Sequence, residues 1–217
     1  MVDVLVQRGT VAELHARDPF AGDGPDAPQV WWCRPTDDAI VLGSRQTADL
    51  VDRAACARAG LSVVRRRSGG GAVLMRRHDV HWIDVVVPTD VAPDDVRGSM
   101  VWIGERWRAV LDSLTDRELA VHKGPMVSTD WSDLVCFAGV GPGEVLCGGG
   151  KLVGLSQRRT RRGMRVQALI YGASVSHEYR DLFVGTVPDG DPGGQAWVAG
   201  LDGATLAGAI AERITPV

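Results

Sequence analysis

The chain has 217 residues, 45% of them hydrophobic and 24% charged, with a formal net charge of −3. That balance supports one buried core and excludes global disorder. No apolar run approaches the roughly 18 residues of a membrane-spanning helix. The N-terminal residues Met1–Arg8 lack the basic-then-apolar layout of a secretory signal. The four cysteines, Cys33, Cys56, Cys136 and Cys147, make no CxxC or Cys/His metal spacing. We therefore expect a single cytoplasmic domain over residues 1–217, in a reducing compartment and without a structural metal.

Along the chain, Val2–Arg8 and Gln29–Arg34 read as short strands around a Pro/Gly/Asp loop, Asp18–Pro28. Ala39–Gly43 is a third strand, and Asp49–Arg58 a helix stopped by Gly60. Leu61–Val64 is a strand entering Arg65–Val73, and His81–Pro88 alternates as a strand that ends on proline. Asp94–Leu114 is the longest helical stretch. Met100, Trp102, Ile103, Trp107, Val110, Leu111 and Leu114 recur there near helical spacing, which makes them expected core positions. Leu134–Phe137 and Gly143–Cys147 are short strands. Lys151–Gln157 and Val166–Tyr171 form a pair joined through Arg158–Arg165, Pro188–Gly194 is a loop, and Ala204–Ile214 a last helix. Strands adjoin strands and helices are few, which predicts an α+β fold with a mixed or antiparallel sheet flanked by helices.

Charge is segregated. Residues 65–77 and 151–165 together carry +11 and no acid, so the remainder carries −14. Such a map suggests an anionic ligand or partner. Arginine outnumbers lysine 22 to 2, which draws attention to Lys123 and Lys151. Arginine substitutes for a generic surface lysine but not for a compact ammonium.

Two glycine-rich segments carry the chemistry. In Arg66-Arg67-Ser68-Gly69-Gly70-Gly71-Ala72-Val73, three glycines let backbone N–H groups converge on an anion and let a ligand approach the chain. Arg66 and Arg67 supply forked donors for phosphate. Neither this loop nor Gly148–Leu152 is a Walker A loop, and no GxGxxG opens a helix. In Gly143–Gln157 a glycine turn delivers Lys151 to the start of a strand, with small residues at Gly154 and Ser156. An ammonium there can bridge a carbonyl and a phosphate oxygen as charge develops. A hairpin lysine contributes little to a core, so Lys151→Ala is expected to remove activity and spare the fold. His78 and His81 lie near the glycine loop as candidate proton carriers, although alternating spacing puts His81 on a strand face where a satisfied core histidine is the expected reading. His15, His122 and His177 belong to no constellation.

In this order the residues resemble the lipoate–protein ligase and octanoyltransferase family, within the biotin/lipoate ligase superfamily. The resemblance runs from Val41-Leu42-Gly43-Ser44-Arg45-Gln46 through the SGGGAV loop to Cys136-Phe137, Glu144, Lys151-x-x-Gly154 and Ser156-Gln157-Arg158, covering roughly residues 39–172. It implies a core shared with biotin ligases and class II aminoacyl-tRNA synthetases. It also implies transfer of a lipoyl or octanoyl group to one lysine of an apo-lipoyl domain of a 2-oxoacid dehydrogenase, or of the glycine-cleavage H protein. The implied substrates are ATP and lipoate or octanoate, joined as an acyl-adenylate, with Mg2+ as a possible companion. By position, Arg66, Ser68, Gly69, Gly70, Gly71, Ala72, Val73 and Leu74 would hold nucleotide or acyl-phosphate, together with Gly154 and Ser156. Lys151 would touch the acyl carbonyl and the phosphate, supported by Glu144. Val41, Leu42 and the Trp82–Val86 strand are candidates for an apolar acyl slot.

The sequence departs from the family at Met75–Asp79 and in a short first helix, Val11–Ala16. No accessory domain is expected after the catalytic one. Cys136 keeps a second mechanism open. Its Cys-Phe context, 15 residues before Lys151, resembles the octanoyltransferases that pass an acyl group from acyl carrier protein to a cysteine and then to the target lysine. A third reading is a non-catalytic ligand sensor or nucleic-acid-binding module. The basic stretches lack interleaved aromatics, so nucleic acid is not the expected partner, nor is a membrane.

Overall fold

The computed structural model describes residues 2–22, 24–91 and 93–214. Among these, ten strands and four α-helices follow in the order β1 (Asp3–Gly9), α1 (Val11–Ala16), β2 (Gln29–Pro35), β3 (Asp38–Leu42), α2 (Arg53–Arg58), β4 (Leu61–Arg65), β5 (Val73–Met75), β6 (Val80–Pro88), α3 (Val96–Asp112), β7 (Leu119–Val121), β8 (Val145–Cys147), β9 (Gly150–Thr160), β10 (Gly163–Tyr171) and α4 (Gly203–Ala211). They make two sheets rather than one. Seven strands lie in the order β1-β2-β6-β10-β9-β8-β7, with β1 and β2 parallel and the rest antiparallel. The smaller sheet, β4-β3-β5, is also mixed. The α+β class expected from the sequence is the class observed.

Strand alternation sets the layers. Ile83, Val85 and Val87 of β6 pack with Val166, Ala168 and Ile170 of β10 against Ile103 and Trp107 of α3 and Leu206 and Ile210 of α4. The intervening residues Val80, Trp82 and Val86 face the other way, onto Trp31 and Cys33 of β2, Leu14 of α1 and the small sheet. The large sheet is thus covered on both faces, by helices on one and by the small sheet and α1 on the other. The candidate site lies on the second face.

Four boundaries differ from the sequence reading, each for a local reason. The helix expected from Asp49 begins at Arg53, because Asp52 Oδ1 caps it by accepting from the Ala54 and Ala55 N–H groups. Residues 48–50 form one 3-10 turn and Val51 bridges Phe183 instead. Strands β9 and β10 continue to Thr160 and from Gly163, so only Arg161 and Arg162 turn. Leu134–Phe137 is not a strand. Its backbone is used on one residue: Ala72 N–H donates to Leu134 O, and Cys136 N–H to Ala72 O. The chain then folds into a 3-10 turn at Cys136–Ala138. Two strands of three residues, β5 and β7, escape prediction.

Candidate active site

The three glycines of the 69–71 loop serve three different ends. Gly70 has φ +95°, which other residues rarely adopt. A Cβ on Gly71 would lie 2.7 Å from the Val135 carbonyl carbon and 2.8 Å from Cys136 N, so this glycine permits the Ala72–Val135 bridge. A Cβ on Gly69 would meet open space. Arg66 closes the loop from inside. It is 6% exposed, and its Nη2 donates to Gly69 O (2.8 Å) and Gly71 O (2.9 Å). The guanidinium expected to neutralise phosphate thus spends one nitrogen on the loop, while its buried Nε has no partner among the described residues.

The Gly43–Gln46 segment braces the same loop. A Cβ on Gly43 would fall 1.8 Å from Gly70 O. Gln46 accepts from Gly43 N–H through Oε1 and donates through Nε2 to Asp133 O and Leu134 O. The family-like Leu-Gly-x-x-Gln spacing is therefore a clamp that joins β3, the glycine loop and the Cys136 segment.

Lys151 overturns one expectation. It is 1% exposed, not a surface hairpin lysine. The two-residue turn Gly148–Gly149 has positive φ at both positions, the backbone a tight hairpin needs, and returns β9 along β8. This places Lys151 Nζ 2.9 and 3.0 Å from the two oxygens of Glu144 and 2.6 Å from Cys136 O. The Glu144 carboxylate also accepts from the Gly141 and Leu155 N–H groups. On the side of β9 that β10 does not reach, Gln195 bridges Lys151, and Ala196 N–H donates to Lys151 O.

Two clefts meet beside these groups. The first, narrow and mostly apolar, runs over the floor of β9, β10 and β6 and includes Val73, Met75, Trp82, Phe137 and Leu169. The second, more open, is walled by Gly69, Gly70, Gly71, Met126, Glu144 and Lys151. Arg66, Cys136, Leu155 and Ser156 belong to both. Ser68 Oγ donates to Ser156 Oγ (3.2 Å), which ties the glycine loop to β9 across the junction. Gly154 makes room for Phe137: a Cβ there would sit 2.6 Å from the ring.

Of the residues expected at the site, Arg66, Gly69, Gly70, Gly71, Val73, Cys136, Lys151, Gly154 and Ser156 line one or both clefts. Ala72 and Leu74 are fully buried in and beside the small sheet. The Leu74 backbone is taken up by Tyr179 and Tyr171, whose hydroxyls burial pushes upward in pKa, Tyr179 to about 12. Val41 and Leu42 are core residues, whereas Trp82 does line the apolar cleft. His78 and His81 border a separate cleft with Trp32 and Arg34. Sequence reasoning missed His15 and Gln167, both in the apolar cleft. Gln167 was legible in principle, since it shares a face of β10 with Leu169. The segregated charge is largely undone in space. Arg67 and Arg158 pair with Asp18, Arg76 with Asp38 and Glu178, Arg77 with Asp38, Lys151 with Glu144, and Arg165 with Asp84. Among the described residues, no three His, Cys, Asp or Glu side chains gather into a metal site.

This arrangement has the fold of lipoate ligase catalytic domains. A lipoate-protein ligase A bound with ATP superposes with a TM-score of 0.71 at 18% identity, covering 96% of this chain and 82% of that one. The T. acidophilum protein Ta0514 with bound lipoic acid gives 0.69 at 16%, covering 97% and 83%. A bipartite lipoate protein ligase of Thermoplasma acidophilum, described with its E2 lipoyl domain, gives 0.68 at 15%, covering 97% and 81%. The lipoyl protein ligase A/B catalytic domain model matches residues 19–183, so the chain belongs to that family of enzymes. No curated protein sequence matches it.

Proposed function

We propose that this chain attaches a lipoyl or octanoyl group to one lysine of an apo-lipoyl domain, through an acyl-adenylate made from ATP. The observation that carries this reading is the junction of an apolar cleft with a glycine-walled one at Arg66, Cys136, Leu155 and Ser156. The acyl chain lies in the first and the nucleotide in the second. A carboxylate oxygen attacks the α-phosphorus of ATP and expels pyrophosphate. The acceptor amine then attacks the carbonyl, loses a proton and expels AMP. Gly69, Gly70 and Gly71 present backbone at the phosphate, which is the role loops of this kind play elsewhere. Arg66 fixes their geometry and offers Nε, its free donor. Lys151 acts as a preorganised charge, exchanging one of its present acceptors for the acyl carbonyl or a phosphate oxygen. Magnesium, where used, would neutralise charge on the nucleotide's phosphates. An ATP-bound and a lipoate-bound relative of this fold support the two substrates, and a relative described with an E2 lipoyl domain supports the acceptor class.

Cys136 supports a second reading. Its thiol is half-buried where the clefts meet, beside Gly70, and its own carbonyl is held by Lys151 Nζ. In this reading the thiolate takes the acyl group from an acyl-carrier-protein thioester, releasing the carrier thiol, and the acceptor amine then displaces Cys136. The mass of an apo-lipoyl domain decides between the two, after reaction with octanoate plus ATP or with octanoyl-acyl carrier protein without ATP. The adenylate route predicts modification in the first mixture, with pyrophosphate release, and survival of that activity in Cys136→Ser. Modification in the second mixture alone, with an octanoyl mass on Cys136, overturns it.

A further inference from the structure

The apolar cleft has a polar end. His15, from α1, lies against Trp82 with ring centroids 4.5 Å apart and the ring planes tilted by 34°. The Gln167 amide lies 3.4 Å from its Nδ1. With the Gln167 amide nitrogen donating to Nδ1, the single proton of a neutral imidazole sits on Nε2. That Nε2 is buried and has no hydrogen-bond partner among the described residues. The ring is neutral because burial, reinforced by the Arg66 and Arg165 charges, depresses its pKa to about 3. It is also firmly placed. The Thr10–Glu13 capping box fixes the start of α1, and Arg165 donates to Leu14 O and Arg17 O while pairing with buried Asp84.

An N–H left unpaired in an otherwise apolar cleft costs free energy unless a ligand supplies the acceptor. Register gives its distance from the reacting end. Gly154 and Ser156 of β9 oppose Leu169 and Gln167 of β10, and Leu169 in turn opposes Trp82 of β6. Trp82, against which His15 lies, is therefore two strand spacings, about 10 Å, from Gly154 of β9, which is next but one to the junction residue Ser156. An extended eight-carbon acyl chain covers that span, so its last carbons come to the imidazole. In octanoate those carbons bear only hydrogen. In lipoate the sixth and eighth carry the dithiolane sulfurs, which are weak acceptors. We infer that His15, held by Gln167 and Trp82, is a specificity residue that selects a lipoyl group over an octanoyl group by donating to the dithiolane.

This rests on the acyl-transfer reading of the cleft, and the experiment keeps the two apart. Equal amounts of lipoyl and octanoyl donor, as acids with ATP or as acyl-carrier-protein thioesters, compete for one apo-lipoyl domain. The ratio of the two product masses is read. A lipoyl preference of about fivefold is expected, the worth of one modest neutral hydrogen bond. His15→Leu should bring the ratio close to one, and His15→Gln, which retains a donor, should restore much of it. Circular dichroism establishes that each variant is folded. A wild-type ratio near one, or a ratio unchanged in His15→Leu, overturns the selection while acyl transfer stands. No product from either donor by either route overturns the acyl-transfer reading, and the selection with it.

Discussion

Replacing Lys151 by methionine tests whether the ammonium is a structural ion as well as a chemical one. The side chains of Lys151 and Glu144 are 1% and 5% exposed, and the pair is made through both carboxylate oxygens. Lys151→Met leaves Glu144 buried without a counter-charge and Cys136 O without its donor. Breaking a buried pair from one side costs roughly 3–5 kcal/mol. For a chain of this size each kcal/mol lowers Tm by roughly 2–4 °C, so a fall of roughly 6–20 °C is expected. In the double variant Lys151→Met/Glu144→Gln the buried charge is gone and the amide oxygen can still accept from one of the Gly141 and Leu155 N–H groups, which bind different oxygens of Glu144, so part of that stability should return. Urea and thermal melts of wild type, both single variants and the double variant measure the coupling. The chemical role is read separately, because a restabilised double variant should still transfer no acyl group. A single Lys151→Met variant as stable as wild type, or a double variant no better than the single, would refute the buried-pair argument.

Two further outcomes follow from the geometry. Gly71→Ala should lose about 1–3 kcal/mol by urea titration, since its Cβ meets the Val135–Cys136 backbone, whereas Gly69→Ala should be nearly neutral; equal losses would show that the loop shifts freely. Because the folded state depresses His15 to about 3 from an ordinary 6.5, the unfolded chain takes up a proton there as pH falls through 6.5 and the folded chain does not. Stability should therefore drop on acidification by roughly 2–3 kcal/mol at pH 4.5 from this group. His81, also held low by burial, adds in the same direction. His15→Leu should flatten the difference between melts at pH 7 and pH 4.5, and an unchanged slope would count against a buried neutral ring.

The sequence made the long periods legible. Alternation over His81–Pro88 and helical spacing over Asp94–Leu114 predicted β6 and α3 within two residues. The order of the glycine loop, Cys136 and Lys151 also pointed to residues that the fold gathers. What it did not reveal depends on partners distant along the chain. Lys151 read as a chemical lysine on a hairpin whose loss would spare the fold, because nothing local says that Glu144, seven residues earlier, is buried against it. Arg66 read as a phosphate donor because its hold on Gly69 O and Gly71 O needs the loop to curl first. The basic runs promised an anionic partner, yet acids from Asp18, Asp38, Asp84, Glu144 and Glu178 answer six of those eleven charges. His15 carried no signal at all, since α1 is brought to the cleft by contacts distant in sequence, with Arg165 and both sheets.

The bridge between Lys151 and Gln195 bears on the order in which the protein is made. A nascent chain that has emerged as far as Tyr171 already contains every side chain of both clefts, the lysine included. Yet the backbone of Lys151 then has an open edge where β10 stops short, because Ala196 N–H has not arrived to donate to Lys151 O. Gly194 is late as well, and it fits against Phe137 O so closely that a Cβ would approach within 2.7 Å. The strand that carries the ammonium is completed only by residues 194–196, which a vectorial synthesis delivers after every cleft residue. Until they dock, a ribosome-bound chain holds the side chains of both clefts without the backbone that closes the edge at Lys151.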